Sequence, residues 1–129
     1  MTVGLSATNL ANSLLNTVRG TSFSNAATYV AIHTDDPGAA GTSNASAGST
    51  ARSQVTFSAA SGGAIALTGT QPTWTNGGTS ETIKAISVWS ASSGGNFLWS
   101  ATLSNQKAWA SGDTLTLTSC GLSLSPLAS

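Results

Sequence analysis

The sequence predicts a mainly β fold. We expect one domain spanning residues 1–129: a β-sandwich (or barrel) of about seven or eight short antiparallel strands, with one short N-terminal α-helix. Three observations predict it. The 129 residues are one domain's length. Helical spacing of apolar residues occurs once, before Gly20, and does not recur. From residue 28 to 125, short runs rich in Val, Ile, Thr and aromatic residues alternate with breaks of Gly, Pro, Asn and Ser.

The helix is expected over residues 6–19. Ser6 or Thr8 can accept hydrogen bonds from the free N–H groups of its first turn. Leu10, Leu14 and Val18 recur every four residues, with Ala7, Ala11 and Leu15 beside them, and Gly20 suits the C-terminal cap. A helix of about 13 residues is marginal alone, so its apolar face must pack on something.

Thr28–Thr34 reads as the first strand, and Asp35–Gly38 as the turn that stops it, with Pro37 and Gly38 fitting a type II geometry. Residues 38–51 are low-complexity Ala, Gly, Thr and Ser, expected as a flexible loop without pattern. Arg52–Ser58, Ala64–Thr68 and the Pro-opened Gln71–Thr75 follow as strands, and Asn76-Gly77-Gly78 is a strong turn signal.

Glu81–Ser90 and Asn96–Leu103 flank a Gly-containing loop and read as a hairpin. Pairing Ser90 with Asn96 places Ile83, Ala85, Ser87 and Trp89 on one face with Phe97, Trp99, Ala101 and Leu103. The other face carries Ile86, Val88 and Leu98. Both faces are partly apolar. One can meet a second sheet; the other needs the N-terminal helix or another subunit. Ser104–Gly112 is expected as a loop. Thr114–Ser119 and Leu122–Ser125 alternate in antiphase, and a bulge at Cys120-Gly121 would return their leucines to one face.

Composition excludes several function classes. Only 6% of the chain is charged, with four Lys+Arg, four Asp+Glu and net charge zero. Ser (22), Thr (19), Ala (20) and Gly (14) dominate. So few basic residues cannot neutralise a phosphate backbone, which argues against nucleic acid as a partner. No run of about 18 apolar residues is present, so no membrane-spanning helix is expected. The first ten residues lack the basic and apolar regions of a signal peptide. The single cysteine, Cys120, provides no disulfide and no zinc cluster, and reads as a small buried hydrophobe.

No catalytic constellation, metal ligand set or cofactor motif stands out. His33, the one histidine, reads as a half-buried or rim side chain on a strand. Asp35 and Asp36 read as turn-capping residues, and Glu81 and Asp113 as isolated acids. The tryptophans carry more weight. Trp89 and Trp99 are expected in the core. Trp109, beside Lys107, and Trp74 are candidate interface residues, as are Leu10 and Leu14 on the helix.

The ordered set TYVAIHTDDPG, ARSQVTFSAASGG, ETIKAISVWSASSGGNFLWSATL and ASGDTLTLTSCGLSLS resembles a group of small tailed-bacteriophage virion proteins. The resemblance spans roughly residues 5–125. That group is variously tail-fibre-like, minor capsid or head decoration, and the resemblance brings no catalytic residues. Asp35-Asp36 stands where the group usually has one acid, and Trp89 and Trp99 where Phe or Tyr is usual. The resemblance implies a structural virion protein, not an enzyme. The leading expectation is a capsid decoration (cement) protein on the outer head, its partner the major capsid protein. The alternative is a tail or baseplate fibre protein that recognises a host-surface glycan, with tail proteins as partners. In either role a homo-oligomer is expected, a trimer being one arrangement, to cover the second apolar face.

Overall fold

The structure is a computed structural model that describes residues 3–128. It contains a helical segment and nine strands: β1 (Tyr29–His33), β2 (Ser53–Gln54), β3 (Thr56–Phe57), β4 (Ala64–Thr68), β5 (Thr73–Thr75), β6 (Glu81–Trp89), β7 (Phe97–Trp109), β8 (Thr114–Thr116) and β9 (Gly121–Ser123). All pairings are antiparallel. The main sheet has the order β2-β1-β6-β7; two smaller sheets, β3-β4-β9 and β5-β8, complete the fold. Among the described residues no sheet closes into a barrel.

The helix begins as a π-helical turn, Ala7–Ala11, and continues as α1, Asn12–Val18. The Ala11 N–H reaches the Ser6 carbonyl at 2.9 Å, which widens that first turn. The Ser6 hydroxyl caps it by accepting from the Asn9 N–H. At the other end Gly20 and Thr21 donate to the carbonyls of Thr17 and Asn16, the paired bonds of a Schellman cap. The caps are therefore those expected, but the buried stripe is shorter. Leu10 is buried and Leu14 half-buried, whereas Val18 lies exposed.

The hydrophobic core lies between the main sheet and the smaller ones. Val30, Ile32, Ile86, Val88 and Trp99 come from the main sheet; Val55, Trp74 and Leu117 meet them, with Phe57, Leu67, Leu115 and Leu122 packed alongside. The rings of Phe57 and Trp99 lie 5.5 Å apart in a tilted contact.

The hairpin corrects the expected register. Ser90 does face Asn96, and its N–H donates to the Asn96 carbonyl at 3.1 Å. Trp89 pairs with Phe97, but the next pair is Val88 with Trp99, so Leu98 is an inserted residue. That single insertion moves Trp99 and Ala101 to the face of Val88 and Ile86. A second irregularity sets Ala85 opposite Thr102 but Ile83 opposite Lys107. The residues 104–109 expected as loop are thus strand: β7 runs on to Trp109, which pairs with Glu81.

The second face of the main sheet is covered by the chain itself. The Ser46 N–H donates to the Ile32 carbonyl and the Thr34 N–H to the Asn44 carbonyl, which lays residues 44–46 along the edge of β1. Gly41 sits against the Phe97 ring at φ +71°; a Cβ there would enter the ring, so only glycine fits. The 38–51 stretch, patternless in sequence, therefore makes specific contacts. The expected turn is displaced by three residues: Gly38 takes the positive φ, but the hydrogen-bonded turn closes from Gly41 N–H to Gly38 carbonyl.

In place of the expected bulge within one strand, β8 ends at Thr116 and β9 begins at Gly121 in another sheet. The Cys120 carbonyl accepts from Leu67, and Gly121 then pairs with Ala66, its α-carbon so close to the Ile65 carbonyl that a side chain would collide. The chain leaves β5 after β8 and joins β4 as β9. Leu115, Leu117 and Leu122 face the core, whereas Leu124, expected with them, is exposed.

Candidate functional site

The five expected interface residues divide. Trp109 and Trp74 are buried, and each indole N–H is engaged inside the chain: Trp109 donates to Glu81 Oε1 at 3.1 Å and Trp74 to the Ala51 carbonyl at 3.0 Å. Neither offers a surface for a partner. The reason is the extended β7, which carries Trp109 back over the sheet rather than out on a loop. Leu10 is also core. Lys107 is exposed and lines a groove of about 450 Å³, of mixed polar and apolar character, between β7 and residues 114–121. Leu14 lines a second, apolar groove.

Glu81, read as isolated from the sequence, is an organising residue. Its carboxylate accepts from the Ser46 hydroxyl, the backbone N–H groups of Ala47 (3.1 Å) and Gly48 (3.0 Å), and the Trp109 indole. Burial pushes this carboxyl up, but the bonds from Ser46, Gly48, Ala47 and Trp109 outweigh it and hold it below its ordinary value. One acid thereby ties the 46–48 loop to the start of β6 and the end of β7. The buried Asn76 beside it accepts from Gly78 and Thr79 and donates to the Thr79 carbonyl.

His33 is fully buried, not half-buried, on the second face. Nδ1 lies 2.8 Å from the Ser43 carbonyl, so it must carry the proton and donate. Nε2 then accepts from the Ser87 hydroxyl at 2.7 Å, and Ser87 accepts in turn from the Trp89 indole at 2.8 Å. Burial lowers the His33 pKa, partly opposed by the Ser43 carbonyl. The Arg52 guanidinium lies 3.7 Å over the Trp89 ring and donates to the carbonyls of Ala91 and Gly94. These groups are arranged for holding loops on a sheet. Burial also pushes the Cys120 thiol up to about 11, far from a reactive thiolate. Among the described residues no cluster of His, Cys, Asp or Glu could hold a metal ion. Asp35 and Asp36 cap the turn as expected, accepting from the N–H groups of Asp36 and Gly38.

The apolar groove is the feature that no sequence motif announced. It has a volume of about 510 Å³ and runs between the helix and the β3-β4-β9 sheet. Leu14, Phe23, Phe57, Leu98, Trp99 and Leu122 form much of its lining, and no charged residue contributes. The cue available in sequence was small: Leu15 and Val18 widen the apolar stripe of the helix, and Leu124 falls out of phase with Leu115 and Leu117.

None of the four tryptophans is as much as a tenth exposed. An indole platform for stacking on a sugar is therefore missing among the described residues. No helix of the described residues is long and apolar enough to cross a membrane. Curated proteins contain no match to the chain. Over residues 5–125 it matches the family model described as Podophage GP4 fiber I protein gp80. The match covers nearly the whole chain and agrees with the virion resemblance of the ordered segments. The chain belongs to this gp80 fibre-protein family and is a structural, virion-associated protein of tailed phage.

Proposed function

We propose that the chain is a building unit of a virion fibre, acting by assembly and not by catalysis. The observation that carries this reading is the fibre-protein family match over residues 5–125. The polar groups support it. His33, Ser87, Glu81 and Asn76, the side chains best suited to chemistry, are each engaged in holding the fold. The groove lined by Leu14, Phe57 and Leu122 supplies an apolar surface suited to protein contact.

The head-decoration reading, with the major capsid protein as partner, shares the small size, low charge and β-rich body, and the family description favours the fibre over it. The glycan half of the fibre expectation rested on the tryptophan content and the Ser/Thr/Asn-rich loops; all four indoles are buried, which leaves the loops alone to support it. With so few charges, docking to the virion depends only weakly on salt. Immunogold labelling of intact virions tests the proposal. Label on thin projections is expected. Label spread over the whole head shell would favour decoration and overturn the fibre reading.

A further inference from the structure

All five large apolar side chains exposed among the described residues gather around the groove. Leu5 (46% exposed) and Leu124 (68%) line it, Leu15 (69%) and Val18 (88%) project from α1 beside it, and Leu127 (52%) lies against Gly63 on its rim. At about 100 Å² for a fully exposed aliphatic side chain, they present roughly 300 Å² of apolar surface. The half-buried walls add to that. A standard protein interface covers about 800 Å² a side, of which somewhat over half is apolar. The patch therefore supplies about the apolar area that one stable interface needs.

The patch has both a hollow and a ridge. The hollow is the groove; the ridge is the outer stripe of α1, Leu15 and Val18. The hollow is uncharged, which suits an occupant as poor in charge as this chain. We propose that the groove receives the Leu15–Val18 ridge of a second copy of this chain. Ridge and hollow belong to the same patch, so each copy offers both to the other, and the contact pairs two copies about a two-fold axis. The choice of a second copy as occupant rests on the fibre reading, in which copies repeat.

Sedimentation velocity of the purified full chain over about 1 to 100 µM tests this. The wild type is expected to associate. The double variant Leu15→Glu, Val18→Glu removes the ridge, and Ala60→Arg, at an exposed position on the groove wall, obstructs the hollow. Each is expected to be monomeric, with apparent affinity at least about 100-fold weaker and an unchanged circular-dichroism spectrum. Mixing the two restores one intact ridge–hollow pair and should give a two-chain complex. A monomeric wild type, an associated ridge variant of native spectrum, or a mixture that stays monomeric would each overturn the proposal. Failure here is separable from failure of the fibre reading. A chain found on fibres but monomeric loses only the groove assignment, and one found over the head shell but associating through the groove loses only the fibre reading.

Discussion

Glu81→Ala should destabilise the chain more than any other change at a charged residue. The carboxylate accepts four hydrogen bonds, and two of the donors, the Ser46 hydroxyl and the Trp109 indole, belong to buried residues. Each buried donor left unpaired costs about 1–3 kcal/mol, whereas the outer Ala47 amide can turn to water. The expected loss is about 3 kcal/mol, or a fall in Tm of about 10 °C for a domain of this length. Glu81→Gln keeps an acceptor oxygen but points an amide N–H₂ at other donors, and should lose about half as much. The assay is thermal unfolding followed by circular dichroism at pH 7. A second readout is tryptophan emission, which should shift to the red as Trp109 loses its seat. Acid sharpens the test. The folded carboxyl sits below its ordinary value of 4.5, so its stabilisation is present above that value and is lost as pH falls through the folded pKa. The Gln variant should lack this acid-dependent loss. A Tm within about 2 °C of wild type for the Ala variant would refute the view that Glu81 anchors the 46–48 loop.

Three further predictions follow from the same contacts. His33 is held neutral below its ordinary value near 6.5, so wild-type stability should fall as pH drops below 6.5 until the folded pKa is reached. In urea melts at pH 7.5 and 5.5, His33→Leu should start about 2 kcal/mol lower, having unpaired Ser43 and Ser87, and lose the histidine part of this drop. Gly41→Ala would drive a methyl into the Phe97 ring at a positive φ and should cost about 2–4 kcal/mol by denaturant unfolding; a cost near zero would mean the loop does not pack on Phe97. Because all four indoles are buried, iodide should quench native tryptophan fluorescence far less than it quenches the urea-unfolded chain, and similar quenching in both states would contradict the burial.

What the sequence made legible was local. The Ser6 cap, the Gly20 stop and the Ser90–Asn96 hairpin closure each depend on residues within a few positions of one another. The burial of Trp89 and Trp99 was legible, although alternation set them on one face and the structure sets them on opposite faces. The inserted Leu98 was not, because nothing in NFLWS distinguishes a bulge from a regular strand. That slip had consequences. An unbroken register would set Glu81 against Asn105; the extra residues of β7 bring Trp109 there instead and so create the carboxylate clamp. The cover over the second face was hidden for a different reason. Residues 38–51 are held by distant groups, His33, Phe97 and Glu81, and a run of Ala, Gly, Ser and Thr carries no periodicity to show it. The expectation that the second face needs the N-terminal helix or another subunit therefore loses its premise. The apolar surface left open lies elsewhere, at the helix and β9, where Leu14, Leu15, Val18 and Leu124 gave only a diffuse sign of it.

The low charge takes on a definite place in this picture. With four acids and four bases, the chain uses Glu81 and Arg52 internally, while Lys84 and Asp35 form an exposed pair at 3.8 Å worth little. Its surface is thus nearly neutral, and association must come from apolar contact. The most direct test of the central claim, that this is a fibre unit, is the number of copies per virion. Quantitative mass spectrometry of purified particles, with the major capsid protein as internal standard, measures it. A fibre unit predicts single digits to tens of copies. Hundreds of copies, in fixed ratio to the shell protein, would contradict the account.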